Sequence, residues 1–140
     1  MTTEEVKERL RAYRRIRNEC EGLKNRIERK RSDMNYLQAI VTDGAPRSGG
    51  ISHSVERTVE RMDALVREYA SMVNKCEEEE KRILNMINSV SQSRGRAILI
   101  EHYINGIPLD WRIYDMLGIA RNTMWKYYNS AIEEIGQNWD

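Results

Sequence analysis

Phenylalanine is missing from this 140-residue chain, and proline occurs only at positions 46 and 108. So few breakers allow helices of great length, because nothing inside them removes a backbone donor or clashes with the preceding turn. Cysteine is scarce too. Cys20 and Cys76 stand far apart, without a CxxC pair or a second cluster. Two reduced thiols are the expectation, rather than a metal site or a disulfide framework. No apolar run approaches the roughly 20 residues that a membrane span needs. The start, "MTTEEVKERLRAYRR", has no apolar signal core, so the expected setting is the cytoplasm, with no membrane partner. His53 and His102 have no Cys or carboxylate constellation around them, and no nucleophile–base pattern occurs. Neither an enzyme nor a bound cofactor is expected.

Charge and periodicity are what the chain has in quantity. Charged residues make up 32% of it, yet 23 cations against 22 acids leave a net charge of only +1. From residue 3 to 42 a heptad runs through Val6, Tyr13, Cys20, Ile27, Met34 and Val41. Ile16, Leu23 and Leu37 follow three places after members of that column, while Arg9 and Lys30 interrupt the second column. Apolar residues at a and d spacing over five heptads specify a coiled-coil helix. The segment "TDGAPRSGGISHS", residues 42–54, then collects glycine, proline and serine and reads as a turn. Its glycines do not form a phosphate-binding loop, since GxxxxGK[ST] is absent and no apolar strand precedes it.

A second helix is expected from an N-cap at Ser54. Val55, Met62, Tyr69, Cys76, Ile83 and Val90 make one column, and Val59, Val66, Val73 and Ile87 the other, broken by Glu80. Leu65, Met72 and Met86 add a third column, which a two-stranded seam does not require. That extra width calls for cover by the C-terminal residues or by a second copy of the chain, and a homodimer is expected. Folding the two helices antiparallel about residue 48 pairs residues whose numbers sum to about 96. Val41 then meets Val55, Met34 meets Met62, Ile27 meets Tyr69, and Cys20 meets Cys76. The same register sets Glu77–Glu80 beside Arg14, Arg15 and Arg17. The arginines between residues 9 and 17 thus have acidic partners in the chain as well as the option of a nucleic acid.

After Ser93 the helices shorten. "RGRAILIEHYING" is apolar at Ala97, Ile98, Leu99, Ile100, Tyr103 and Ile104 and stops at Asn105-Gly106. "PLDWRIYDMLG" begins at Pro108, carries Leu109, Ile113, Met116 and Leu117 on its apolar side, and ends at Gly118. The last stretch, "LGIARNTMWKYYNSAIEEI", places Met124, Tyr127, Ala131 and Ile135 on one face. Two short amphipathic helices joined by a glycine turn form a helix-turn-helix. The expected fold is therefore all-α. Residues 1–93 form a long antiparallel hairpin with a loop at 43–53, and residues 94–140 form the helix-turn-helix.

Leu117, Gly118, Ile119, Arg121, Met124, Tyr127, Ala131 and Ile132 stand where sigma-factor region 4 carries LG-(I/V)-S-R-x-x-V and the core positions after it. "HYINGIP" is similar to the segment that opens that module. With the two long helices and the "SGG" loop ahead of it, the whole chain resembles the sigma-like late-gene transcription regulators of phages infecting Gram-positive bacteria, the ArpU and RinA-like group. The resemblance implies promoter-directed binding of double-stranded DNA, with RNA polymerase as a further partner. The DNA-reading residues it points to are Arg121, Asn122, Thr123, Trp125, Lys126 and Asn129. Tyr128 falls beside them, on the reading side. Ala120 replaces the usual serine and removes a side-chain cap worth roughly 1 kcal/mol. Residues 94–140 hold five cations and six acids, so one module neutralises few phosphates, and its affinity for DNA should be modest at physiological salt. A DNA-packaging subunit of the small-terminase kind and a helical adaptor that binds no DNA are the alternative readings. Ring-sized assemblies would favour the first, and failure to bind any DNA at low salt the second.

Overall fold

Heptad-spaced apolar residues and the lack of internal proline carry the first helix, α1, without interruption across Thr3–Thr42. Its first turn is acidic, with Glu4 and Glu5 near the positive end of the helix dipole. The computed structural model describes the backbone of residues 1–42 and 49–139, and the side chains of 1–35 and 56–139. The second helix, α2, spans Gly49–Asn88. It therefore begins five residues ahead of the expected cap at Ser54. Ile51, Ser52 and His53 contain no breaker, and the two glycines sit in the first turn, where they cost least. The rest of the expected loop, and the pairing of Val41 with Val55, lie outside the described side chains. Then follow α3 at Ser93–Leu99, a π-helical turn at Ile100–Ile104, α4 at Trp111–Leu117 and α5 at Arg121–Asn138. All regular structure among the described residues is helical, and the fold is all-α.

The chain forms two compact units, residues 1–17 with 76–140, and residues 18–75. In the first, Val6, Leu10 and Tyr13 of α1 share one buried core with Ile83, Met86, Ile87 and Val90 of α2. The N-terminal part of α1 thus packs on the C-terminal part of α2, as an antiparallel pair requires. Met86, from the third apolar column, is covered in this core. The C-terminal helices supply the remainder: Ile98, Leu99, Tyr103, Ile104, Ile113, Met124, Tyr128, Ala131, Ile132 and Ile135. Cys76 packs against the same core from its edge.

The arginines of 9–17 are engaged within this unit, though not all as the register predicts. Arg9 reaches Glu79 at 3.5 Å, across to α2. Arg11 and Arg15 instead turn to Glu8 on their own helix, at 3.6 and 2.6 Å. The Arg15 hydrogen bond, ahead of simple attraction, holds the exposed Glu8 carboxyl below its usual range. Arg14 donates to the carbonyl oxygen of Ile104 at 3.2 Å, and Arg17 donates to the Tyr13 hydroxyl at 3.0 Å. Partners one or two turns away on the same helix need no ordering of a second element, which is why Glu8 competes with the run at 77–80.

In the second unit the two long helices pack as well. Leu23 and Ile27 of α1 and Met62 of α2 are buried. Ile27, Val66 and Tyr69 line one cleft with Lys24, Glu28 and Arg31, so Ile27 and Tyr69 lie in the same neighbourhood, as expected. Leu65 and Met72 of the third column are half-buried here, as is Cys20.

Candidate nucleic-acid interface

Asp110 starts α4: its extended backbone turns the carboxylate onto the backbone N–H of Arg112 at 3.0 Å. The helix thus begins three residues after Pro108, because the side-chain cap, and not proline's fixed φ, sets its start. It ends in a Schellman pattern. Gly118 has φ +64°, and the N–H groups of Gly118 and Ile119 bond the carbonyls of Asp115 and Tyr114. Gly118, Ile119 and Ala120 alone separate α4 from α5. Ala120 occupies the N-cap with extended backbone and contributes no side-chain acceptor. The first N–H groups of α5 are left for solvent or an anion.

α5 is 18 residues long. Met124, Ala131 and Ile135 are buried as the spacing predicts, and Ile132 joins them. Of the two adjacent tyrosines, the expected one is not the deeper. Tyr127 is half-buried, with the Arg94 guanidinium 5.9 Å from its ring. Tyr128, placed by the sequence on the reading side, is only 4% exposed. Residues 124, 128, 131 and 135 make as good a helical stripe as 124, 127, 131 and 135. The choice falls to chemistry, because the Tyr128 hydroxyl meets that of Tyr103 at 2.8 Å inside the core. Burial, then the bond to Tyr128, pushes the Tyr103 phenol far above its usual range.

Arg121, Asn122, Trp125, Lys126 and Asn129 are all exposed, and Thr123 is half-buried. Four of these, Arg121, Asn122, Lys126 and Asn129, make no ion pair or side-chain hydrogen bond with another described residue. Trp125 stands edge-on to Tyr128, ring centroids 5.7 Å apart. It is anchored at its base and still 37% exposed. One outward face of α5 thus carries two cations, two carboxamides and an indole. Further along the helix, at Glu133, it becomes acidic.

The sequence reading missed the part played by α4. Met116, expected to be apolar-in, is 54% exposed, and Trp111 is 55% exposed. Only Ile113 is buried in this seven-residue helix, so Met116 has turned past the packed face. The Arg112 guanidinium lies 5.4 Å from the Trp111 ring and 3.5 Å from Asp110. An aromatic directly after an Asp cap was the available signal. No group of His, Cys, Asp and Glu able to hold a metal ion occurs among the described residues. None of the described helices is long and apolar enough to cross a membrane.

Residues 52–136 match the model of DUF1492, a protein family of unknown function. The chain belongs to that family. The match takes in most of α2, all of α3 and α4, and α5 as far as Gly136. No curated protein and no solved structure gives a significant match.

Proposed function

We propose that this member of DUF1492 is a transcription regulator of the sigma-like phage type, reading double-stranded promoter DNA with α5. The observation that supports it is the division of α5. Met124, Tyr128, Ala131, Ile132 and Ile135 bind the helix to its core, while Arg121, Asn122, Lys126 and Asn129 stand outward and unpaired. Behind a three-residue turn, that is the geometry by which a recognition helix enters the major groove from its N-terminal end. Arg121 suits a guanine edge or a phosphate, and Asn122 an adenine. The uncapped N–H groups before them suit a phosphate oxygen.

Fragments of the source genome selected for binding provide the test. Arg121→Ala should cost about 1–3 kcal/mol on the preferred site and much less elsewhere. Lys126→Ala should weaken all sequences alike and lower the salt slope by about one. If both variants, at unchanged helicity and oligomer size, bind the selected fragments as wild type does, α5 closes a core and reads nothing. The few cations of residues 94–140 favour a dimer presenting two modules, or assistance from RNA polymerase. Light scattering that finds a monomer at tens of micromolar removes the homodimer.

A further inference from the structure

The chain has two cation-rich runs, and the structure treats them differently. In the run from Arg9 to Arg17 the guanidinium groups are engaged, with Glu8, Glu79, the Ile104 carbonyl and the Tyr13 hydroxyl. In the run "KNRIERKR", residues 24–31, five cations face a single acid, Glu28. Lys24, Arg26, Arg29, Lys30 and Arg31 are all exposed. None of the five forms an ion pair with another described residue. Glu28 itself pairs with neither Lys24 nor Arg31, although both lie within a helical turn of it. Asp33, one turn beyond Arg29 and Lys30, likewise forms no ion pair with another described residue.

We infer that residues 24–31 of α1 are a second DNA contact, a sequence-independent phosphate-binding ridge on the other compact unit. Arg26, Arg29 and Lys30 follow i, i+3, i+4 spacing, which sets them side by side along one strip of the helix. Leu23 and Ile27 are buried, which fixes the helix, and the three cations stay exposed, Lys30 beside that seam and Arg29 farthest from it. Long, flexible cationic side chains suit phosphate oxygens better than base edges. The apolar side of α1 is already occupied, so this stretch offers nothing for a lipid surface to take up beyond charge. The inference rests on the DNA reading of α5 only for the choice of polyanion. It also answers that reading's shortage of charge: residues 94–140 are net acidic, and these cations lie outside them.

The test uses the full chain and a random-sequence duplex, with binding followed by fluorescence anisotropy between 50 and 200 mM salt. The triple variant Arg26→Gln, Arg29→Gln, Lys30→Gln should lower the salt slope by roughly two to three, at about 0.9 for each phosphate no longer neutralised. Its affinity at the low-salt end should fall on the order of tenfold or more. Arg57→Gln, Arg61→Gln, Arg67→Gln removes the same charge from α2 of the same unit and should leave the slope nearly unchanged. The swap Arg26→Lys, Arg29→Lys, Lys30→Arg keeps the charge and should bind as wild type. The ridge is overturned if the first triple binds as wild type does, if the α2 triple loses as much, or if the charge-keeping swap loses as much. It is also overturned if the wild type ignores duplex DNA at 50 mM salt or prefers phosphatidylserine vesicles to it. The Arg121→Ala, Lys126→Ala double variant separates the two proposals. If neutralising the ridge still lowers the slope in that background while the selected fragments show no dependence on α5, the ridge stands and the α5 reading falls. The reverse pattern retains α5 and discards the ridge.

Discussion

Ala120 holds the backbone of an N-cap without the side chain of one. Ala120→Ser places a hydroxyl where the N–H of the next turn can donate to it, and should stabilise the protein by about 1 kcal/mol. A shift of the urea midpoint at unchanged slope would register it. The Tyr103–Tyr128 pair behaves in the opposite sense. Tyr103→Phe leaves the buried Tyr128 hydroxyl without its partner and should cost about 1–3 kcal/mol. Tyr103→Phe combined with Tyr128→Phe should cost clearly less than the two singles added together, because the second change removes the orphan. His102 supplies a pH dependence. Its Nδ1–H donates to the Ile107 carbonyl at 2.7 Å. Burial first, with Arg14 and Arg11 nearby, lowers its pKa against the opposing effect of that bond. Below the ordinary value near 6.5 the unfolded chain therefore takes up a proton that the folded imidazole refuses, and stability falls as pH falls. The loss is complete once pH passes the depressed folded value. His102→Gln should flatten the urea-midpoint profile between pH 7 and 5; an unchanged profile would place the sensitivity elsewhere.

Among elements, legibility followed length. The heptad set α1 at Thr3–Thr42 because forty residues of repeat leave no competing register. The short helices were less determinate. Seven residues of α4 offer too few turns to show which apolar residue faces out, so Met116 was misplaced. In α5 a single position decides between Tyr127 and Tyr128, and the deciding hydroxyl comes from Tyr103, which no local pattern reveals. Asp110 was visible in the sequence, but its precedence over Pro108 as the start of α4 was not. Of the outward residues of α5, all but Thr123 were legible as exposed, since amphipathicity fixes the polar side once the core is fixed. The cations of 24–31 went unremarked because, as a charge run, they resemble the arginines at 9–17. Only side-chain partners tell the two runs apart. The α3–α5 crossing is close: a Cβ on Gly95 would lie 3.1 Å from that of Ala131 and 3.4 Å from the Tyr127 carbonyl oxygen. Gly95→Leu should force the helices apart and cost about 1–3 kcal/mol or more. A thermal melt within a degree of wild type would show that the crossing adapts.

At the scale of the molecule, the two units differ in what they bury. Unit one encloses the long list of apolar side chains around Val6, Ile83 and Met124. Among its described residues, unit two buries only Leu23, Ile27 and Met62. Local opening should follow that difference. Hydrogen exchange is expected to be slowest at residues 83–90 and 124–135, and faster by orders of magnitude along 18–35 and 56–75. Uniform protection over both sets would contradict it.

Val6, Leu10 and Tyr13 complete a core whose other walls come from residues 83–135. On the ribosome, those three side chains emerge long before anything exists to cover them. Until then α1 carries an unmet apolar edge, with same-helix pairs such as Glu8–Arg11 and Glu8–Arg15 to steady it. The C-terminal helices, in turn, reach their full core only when Val6, Leu10 and Tyr13 close over them. A nascent chain halted before α5 would thus display Val6, Leu10 and Tyr13 to chaperones.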